Sequence, residues 1–315
     1  METGKTKKTI ITLGVIFLAL TIFSSEAFSW SWATHAYIVD QLGRKRGVEN
    51  GNEIYGSMVP DLFNYLFDHP EYLTYLYKQT HNKFMKVWKA AESKTEKAFA
   101  YGFASHNDRW GADFAAHHAG RMYGQGEGYV KAKAKDLLSI APLPSELGLP
   151  EEVALEILHE LVENSVDILI SQIADPVIGR KMTSAAIHRR PALSRLLVET
   201  YAGDFSSYAG ISYPEAVRVI TSAEKEFRRS MVLYGQVLLQ DEATAIQLIS
   251  GQTADVAQSF LAVYGIPLPP REQVVELIAA YMELAISICE SDYLEEIEAT
   301  VHFVDQQLKS HGISY

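Results

Sequence analysis

The chain has 315 residues, 48% of them apolar and 21% charged, enough apolar surface to bury a sizeable core and too little charge for a mainly disordered chain. Lys+Arg 28 against Asp+Glu 39 gives a net charge of −11, which argues against a surface that tracks phosphate backbones, though not against a phosphate-bearing substrate at a site with its own cations. The single cysteine excludes a disulfide framework and cysteine-rich zinc modules, so any metal must be held by His, Asp and Glu.

The N-terminus reads as an address label. Lys5, Lys7 and Lys8 precede an apolar run from Ile10 to Phe23, and a short exit follows with small Ala27 and Ser29. This is the three-part pattern of a signal peptide over residues 1–29, and the run is shorter than the ~20 residues of a spanning helix. Cleavage after Ser29 leaves Trp30 first and sends the mature chain out of the cytoplasm, secreted or periplasmic.

Beyond residue 30, apolar residues recur at three- and four-residue steps. Helices are expected over 34–46, 71–91, 95–105, 151–173, 214–240, 241–264, 270–291 and 293–310. In the helix after Pro270, one face carries Val275, Ile278, Met282, Ala285, Ile286 and Cys289. No stretch alternates with period two for long enough to require a sheet, and the fold class is all-α. Three prolines in 141–150 mark a loop, and the Gly-containing stretch 201–213 reads as a second connection. A helical domain over 30–204 and a C-terminal helical extension over 205–315 follow.

The histidines carry the chemical signal. His35, His69, His81, His106, His117, His118 and His159 lie between residues 30 and 165, in the company of Asp61, Asp108, Asp113, Glu160 and Glu163. His159 and Glu163 are four apart in one expected helix and leave the same face. Asp113 and His117 repeat that spacing. His106 and Asp113 are seven apart, roughly 10.5 Å along a continuous helix, too far for one ion, so Gly111 is expected to mark a break. His69, His188, His302 and His311 read as packing or surface residues, as do Trp32, Trp88 and Trp110. The segment HELVE lacks the second His of the zinc protease motif, and nucleophile elbow, P-loop and dinucleotide glycine fingerprints are missing from the sequence.

The order of motifs is informative. W-x-x-x-x-H at Trp30–His35, V-P-D at Val59–Asp61, a helical His81, GFASH ending at His106, an Asp/His cluster and H-x-x-x-E at His159–Glu163 together resemble the zinc-dependent phospholipase C family and the related single-strand-specific trinuclear-zinc nucleases. The resemblance covers about residues 30–170 and implies up to three Zn2+ ions in a cleft between helices. It implies that the amine and carbonyl of Trp30, with His35, hold one ion, and that Asp61, His81 and His106 hold a second. An aspartate from the next segment would bridge these two, and a following histidine, with His159 and Glu163, would hold the third. The family sets the bridging aspartate four residues after the helical His, where this chain has Trp110. A three-residue insertion in HNDRWGAD restores Asp113 as the bridge and leaves Asp108 to anchor the inserted turn. Both His117 and His118 are candidates for the third ion, with His117 favoured by its spacing from Asp113.

The implied activity is phosphodiester hydrolysis by a metal-activated water, most simply phospholipase C-type cleavage of phospholipid head groups, with Asp61 orienting or deprotonating the water. The expected partner is a phospholipid or other phosphodiester met by peripheral membrane contact, with no stable nucleic-acid partner. Single-strand nuclease activity is the alternative within the superfamily. A secreted helical protein with an incomplete, purely structural metal cluster is the reading from outside it.

Overall fold

Local chemistry sets the helix ends. Ser93 and Glu96 form a reciprocal capping box at the start of Lys94–His106, satisfying two amides that the helix leaves unpaired. Ser212 accepts from the Glu215 amide to open Tyr213–Val237, with Pro214 in its first turn. Gly43 and Gly210 close their helices in left-handed backbone, where a side chain would be strained.

The computed structural model describes residues 30–43, 48–66, 69–143, 149–263 and 269–315. Among them are fourteen α-helices and no strand, so the fold is an all-α multi-helix bundle. In chain order they are α1 (Trp32–Leu42), α2 (Val48–Met58), α3 (Leu73–Tyr77), α4 (Met85–Ala90), α5 (Lys94–His106), α6 (Ala112–His117) and α7 (Tyr129–Ile140). After these come α8 (Glu151–Leu169), α9 (Ile178–Ile187), α10 (Pro191–Ala209), α11 (Tyr213–Val237), α12 (Glu242–Val263), α13 (Arg271–Cys289) and α14 (Tyr293–Ser310). No described helix is long and apolar enough to cross a membrane. The expected signal peptide, the end of the first expected helix at Arg46 and the centre of the proline-rich loop, residues 144–148, lie outside the described residues.

The expectation of one helix over 71–91 is corrected. That stretch is a 3-10 turn, α3, a π-helical turn over Lys78–Asn82 and α4. The periodicity there was real but was shared among short pieces. The expected connection over 201–213 is helical through Ala209, because Tyr201, Ala202 and Phe205 bury themselves and hold α10 together across Gly203. Short helices α2, α6, α7 and α9 were not expected; two of them, α2 and α9, hold internal glycines that weaken a propensity reading. On α13 it is Val274, not Val275, that is fully buried.

Two glycines let α2 and α5 touch backbone to backbone. A Cβ on Gly56 would lie 2.1 Å from the Phe99 carbonyl oxygen, and one on Gly102 would lie 1.9 Å from that of Glu53. This closeness brings the Ser57 carbonyl 2.7 Å from His106 Nδ1. Helix α8 runs through the core with α7 and α13 packed along it, and Ser165 on α8 donates to the Met282 carbonyl of α13. The C-terminal helices are therefore packed on the same core as the histidine-bearing ones.

Gly102→Ala is expected to destabilise the protein by about 3 kcal/mol or more, because the neighbour is backbone and cannot swing aside. Gly203→Ala, whose Cβ meets nothing within 4 Å, is expected to leave stability unchanged or improve it by up to about 1 kcal/mol. Denaturant unfolding of the two variants checks this ranking.

Candidate metal centre

Each candidate ligand is delivered by a distinct local device. His35 projects from α1, and the Trp30 backbone accepts a hydrogen bond from its ring. Asp61 lies in the first turn of the 3-10 helix Val59–Tyr65, started by Pro60. His81 lies in the π-turn, a wider coil that recurs at functional positions. His106 ends α5. Asn107 then takes the Arg109 and Trp110 amides on its side-chain oxygen, at 2.9 and 3.0 Å, and Gly111 packs where a Cβ would meet the His106 and Asn107 carbonyl oxygens at 2.4 Å. The chain reverses there and restarts as α6, so Asp113 returns beside His106 despite the seven-residue separation. Asn107, not Asp108, organises the turn; Asp108 instead accepts from Tyr77 and pairs with His118.

The side chains converge in three buried groups, and within each the nearest nitrogen and oxygen atoms lie within 4.8 Å of one another: His35, His106 and Asp113; Asp61, His81 and His106; and His117, His159 and Glu163. Asp113 faces both of the first two. Its Oδ1 is 3.0 Å from His35 Nε2, and its Oδ2 is 3.3 Å from His81 Nε2 and 3.1 Å from His106 Nε2. Asp61 Oδ1 lies 3.4 Å from His81 Nε2. In the third group, His159 Nε2 is 2.7 Å from Glu163 Oε1 and 3.2 Å from His117 Nε2.

His106 belongs geometrically to two groups but can serve only one ion. Its Nδ1 faces the Ser57 carbonyl, which fixes the proton there and leaves a single lone pair on Nε2. The division that uses every donor once gives His106 to Asp61 and His81, and leaves His35 with Asp113 and the Trp30 backbone. Thr80 Oγ1, 2.9 Å from His81 Nδ1, orients the second imidazole in the same manner.

Electrostatics keeps the imidazoles neutral and, without added positive charge, favours the protonated form of the carboxylates. Burial, followed by the neighbouring imidazoles, holds His35, His81 and His117 well below the usual histidine range. Burial also lowers His106 and, with Lys131 next, pushes His159 down to about 3. Burial and then Glu160, Asp113 and Asp61 push Glu163 well above the usual carboxylate range. Burial, Glu156 and Asp61 raise Glu160 to about 7. Neutral imidazoles beside crowded carboxylates form a donor set matched to divalent cations. Cleft access is present: a cavity of about 110 Å³ is lined by Trp30, Trp32, Asp61, Glu163 and Tyr234 among others, and so reaches one carboxylate of the second group and one of the third.

Several expectations need correction. His118 lies outside the three groups, its side chain 44% exposed and 2.7 Å from Asp108, because α6 ends at His117 and the next residue turns outward. Trp32, expected to be packing alone, lines the cleft. Trp110 packs as expected, buried against Phe84 and stacked on His311. His69 is a surface residue as expected, beside Glu71. The sequence reading missed the Ser57 carbonyl and Tyr234. It also passed over Asp167, although 159, 163 and 167 form one four-residue stripe on α8.

No protein-family model, curated protein or solved structure matches this chain. What the fold and the site define is an all-helical protein with three buried His/Asp/Glu groups able to bind metal ions.

With His159 at about 3 when folded and near 6.5 when unfolded, the unfolded chain binds the extra proton between these values. The stability that depends on a neutral His159 is complete above about 6.5 and is lost as pH falls toward about 3. Metal-free wild type should therefore lose stability faster than His159→Gln as pH is lowered through this window, in paired denaturant titrations.

Proposed function

We propose that this protein is a zinc-dependent phosphodiester hydrolase of phospholipase C type, acting on phospholipid head groups outside the cytoplasm after removal of residues 1–29. The observation that carries the reading is Asp113: one carboxylate faces His35 with one oxygen and His81 and His106 with the other, as a bridge between two ions requires. The motif order that resembles the zinc-dependent phospholipases supports the same reading, as does the opening of two groups onto one cleft.

In this reading Trp30 and His35 would hold one ion, Asp61, His81 and His106 a second, with Asp113 facing both, and His117, His159 and Glu163 would hold a third. Bound there, divalent zinc supplies positive charge to phosphoryl oxygens and lowers the pKa of an adjacent water toward neutrality. The protein's own residues do the rest. Asp61, at the cleft wall, orients the attacking water and accepts its proton. Asn64, Asn164 and Tyr234 line the same cleft and present hydrogen-bonding groups to a substrate, while Trp30 and Trp32 give it apolar walls. Peripheral contact with a lipid surface would bring the head group to this cleft.

Asp113→Asn is expected to lower phosphodiesterase activity and zinc content together, activity by at least about 100-fold, because the amide cannot bridge two cations. Asp108→Asn, whose carboxylate serves Tyr77 and His118 outside the three groups, is expected to keep both within a few-fold. Assays on phosphatidylcholine vesicles and on single-stranded DNA, with zinc measured on the same samples, check the ranking and the substrate class. Turnover of DNA but not lipid would move the assignment to the nuclease branch. Zinc binding without turnover of either would leave a structural metal protein.

A further inference from the structure

The α8 stripe that carries His159 and Glu163 continues one turn further to Asp167, which is fully buried and belongs to none of the three groups. Its Oδ2 accepts from the Ala33 amide at 2.9 Å, and its Oδ1 accepts from the Thr34 amide at 2.8 Å and the Thr34 hydroxyl at 2.7 Å. These are first-turn amides of α1, the ones an N-cap side chain ordinarily serves. Ser31, in the N-cap position, makes no such bond. The cap of α1 is thus supplied from another helix, 134 residues along the chain, and its negative charge sits at the positive end of the α1 dipole.

A second residue fastens this cap. Tyr234, on α11, places its phenol oxygen 3.1 Å from Asp167 Oδ2, 3.0 Å from Asn164 Oδ1 and 3.5 Å from the Ser31 hydroxyl. It also stands on the cleft wall. One helix, α8, therefore supplies two candidate ligands of the third group and grips the segment that presents Trp30 and His35. A residue from beyond position 204 locks that grip.

We infer that Asp167 is a positioning residue that sets Trp30 and His35 relative to the other ligands, with Tyr234 as its clamp, so that the C-terminal helices complete the metal centre. This rests on reading the three groups as metal sites. Asp167 touches no candidate ligand side chain in that account and acts through the backbone at Ala33 and Thr34.

The test uses full mature protein and zinc itself. Zinc affinities are titrated against a competing chelator for wild type, Asp167→Asn, Tyr234→Phe and His35→Ala, and amide exchange is followed at Ala33 and Thr34. His35→Ala identifies which affinity belongs to the α1 ion. Asp167→Asn should weaken that ion by about 10- to 100-fold, leave the others unchanged and speed exchange at both amides. Tyr234→Phe should shift the same ion in the same direction by less, and it carries the test alone if Asp167→Asn does not fold. Faster exchange with every zinc affinity unchanged would reduce Asp167 to an ordinary helix cap and overturn the inference. A parallel loss of all ions would overturn it too, as general loosening. A wild type that binds no zinc would instead remove the reading of the groups on which the inference rests.

Discussion

Asp61, Asp113 and Glu163 are all buried in one helical core, Asp167 is buried one turn beyond Glu163, and Glu160 lines the cleft beside them. Carboxylates taken out of water are costly unless they are paired with positive charge or richly hydrogen-bonded. At Asp167 three hydrogen bonds from α1 offset part of the cost, though burial still holds its carboxyl above the usual range. The others face imidazoles that burial keeps neutral, so their neighbours are lone pairs and N–H groups and not cations. The burial and, after it, the mutual repulsion that push Glu163 and Glu160 upward mark a site short of positive charge. Much of the surrounding architecture makes sense as the framework that forces these groups together.

Four features do the forcing. The glycine contact between α2 and α5 brings Ser57 up to His106. The Asn107–Gly111 reversal folds Asp113 back onto the group it follows in sequence. Helix α8 presents His159, Glu163 and Asp167 on one stripe and is itself packed between α7 and α13. The buried carboxylate of Glu296 on α14 accepts from the Met122 and Tyr123 amides at 2.6 and 3.0 Å, holding the loop that leaves His117. An acidic net charge outside and a carboxylate-rich centre inside are compatible when the centre is designed around cations.

The sequence was most legible where one helix carries the whole pattern. His159 and Glu163 needed only the 3.6-residue period, and the all-α class needed only the lack of alternation. It was partly legible at Asp113, where the misfit of a seven-residue step with one ion pointed to a break at Gly111, but the residue that builds the turn is Asn107 and not Asp108. It was illegible where long-range packing decides. Helix α10 runs through a stretch that reads as a linker, since Phe205 and Tyr201 find a core no local window can see. The outward turn of His118 depends on where α6 stops. Tyr234 joins the cleft from a helix whose own pattern reports only amphipathic packing.

Whether the three groups are ion sites can be read from crystals of the mature protein grown with zinc, by anomalous scattering at the zinc edge. Three peaks are expected: one beside His35 and Asp113, one among Asp61, His81 and His106, and one among His117, His159 and Glu163. Data with no peak at these positions, and with the imidazoles and carboxylates hydrogen-bonded directly to one another, would contradict that expectation.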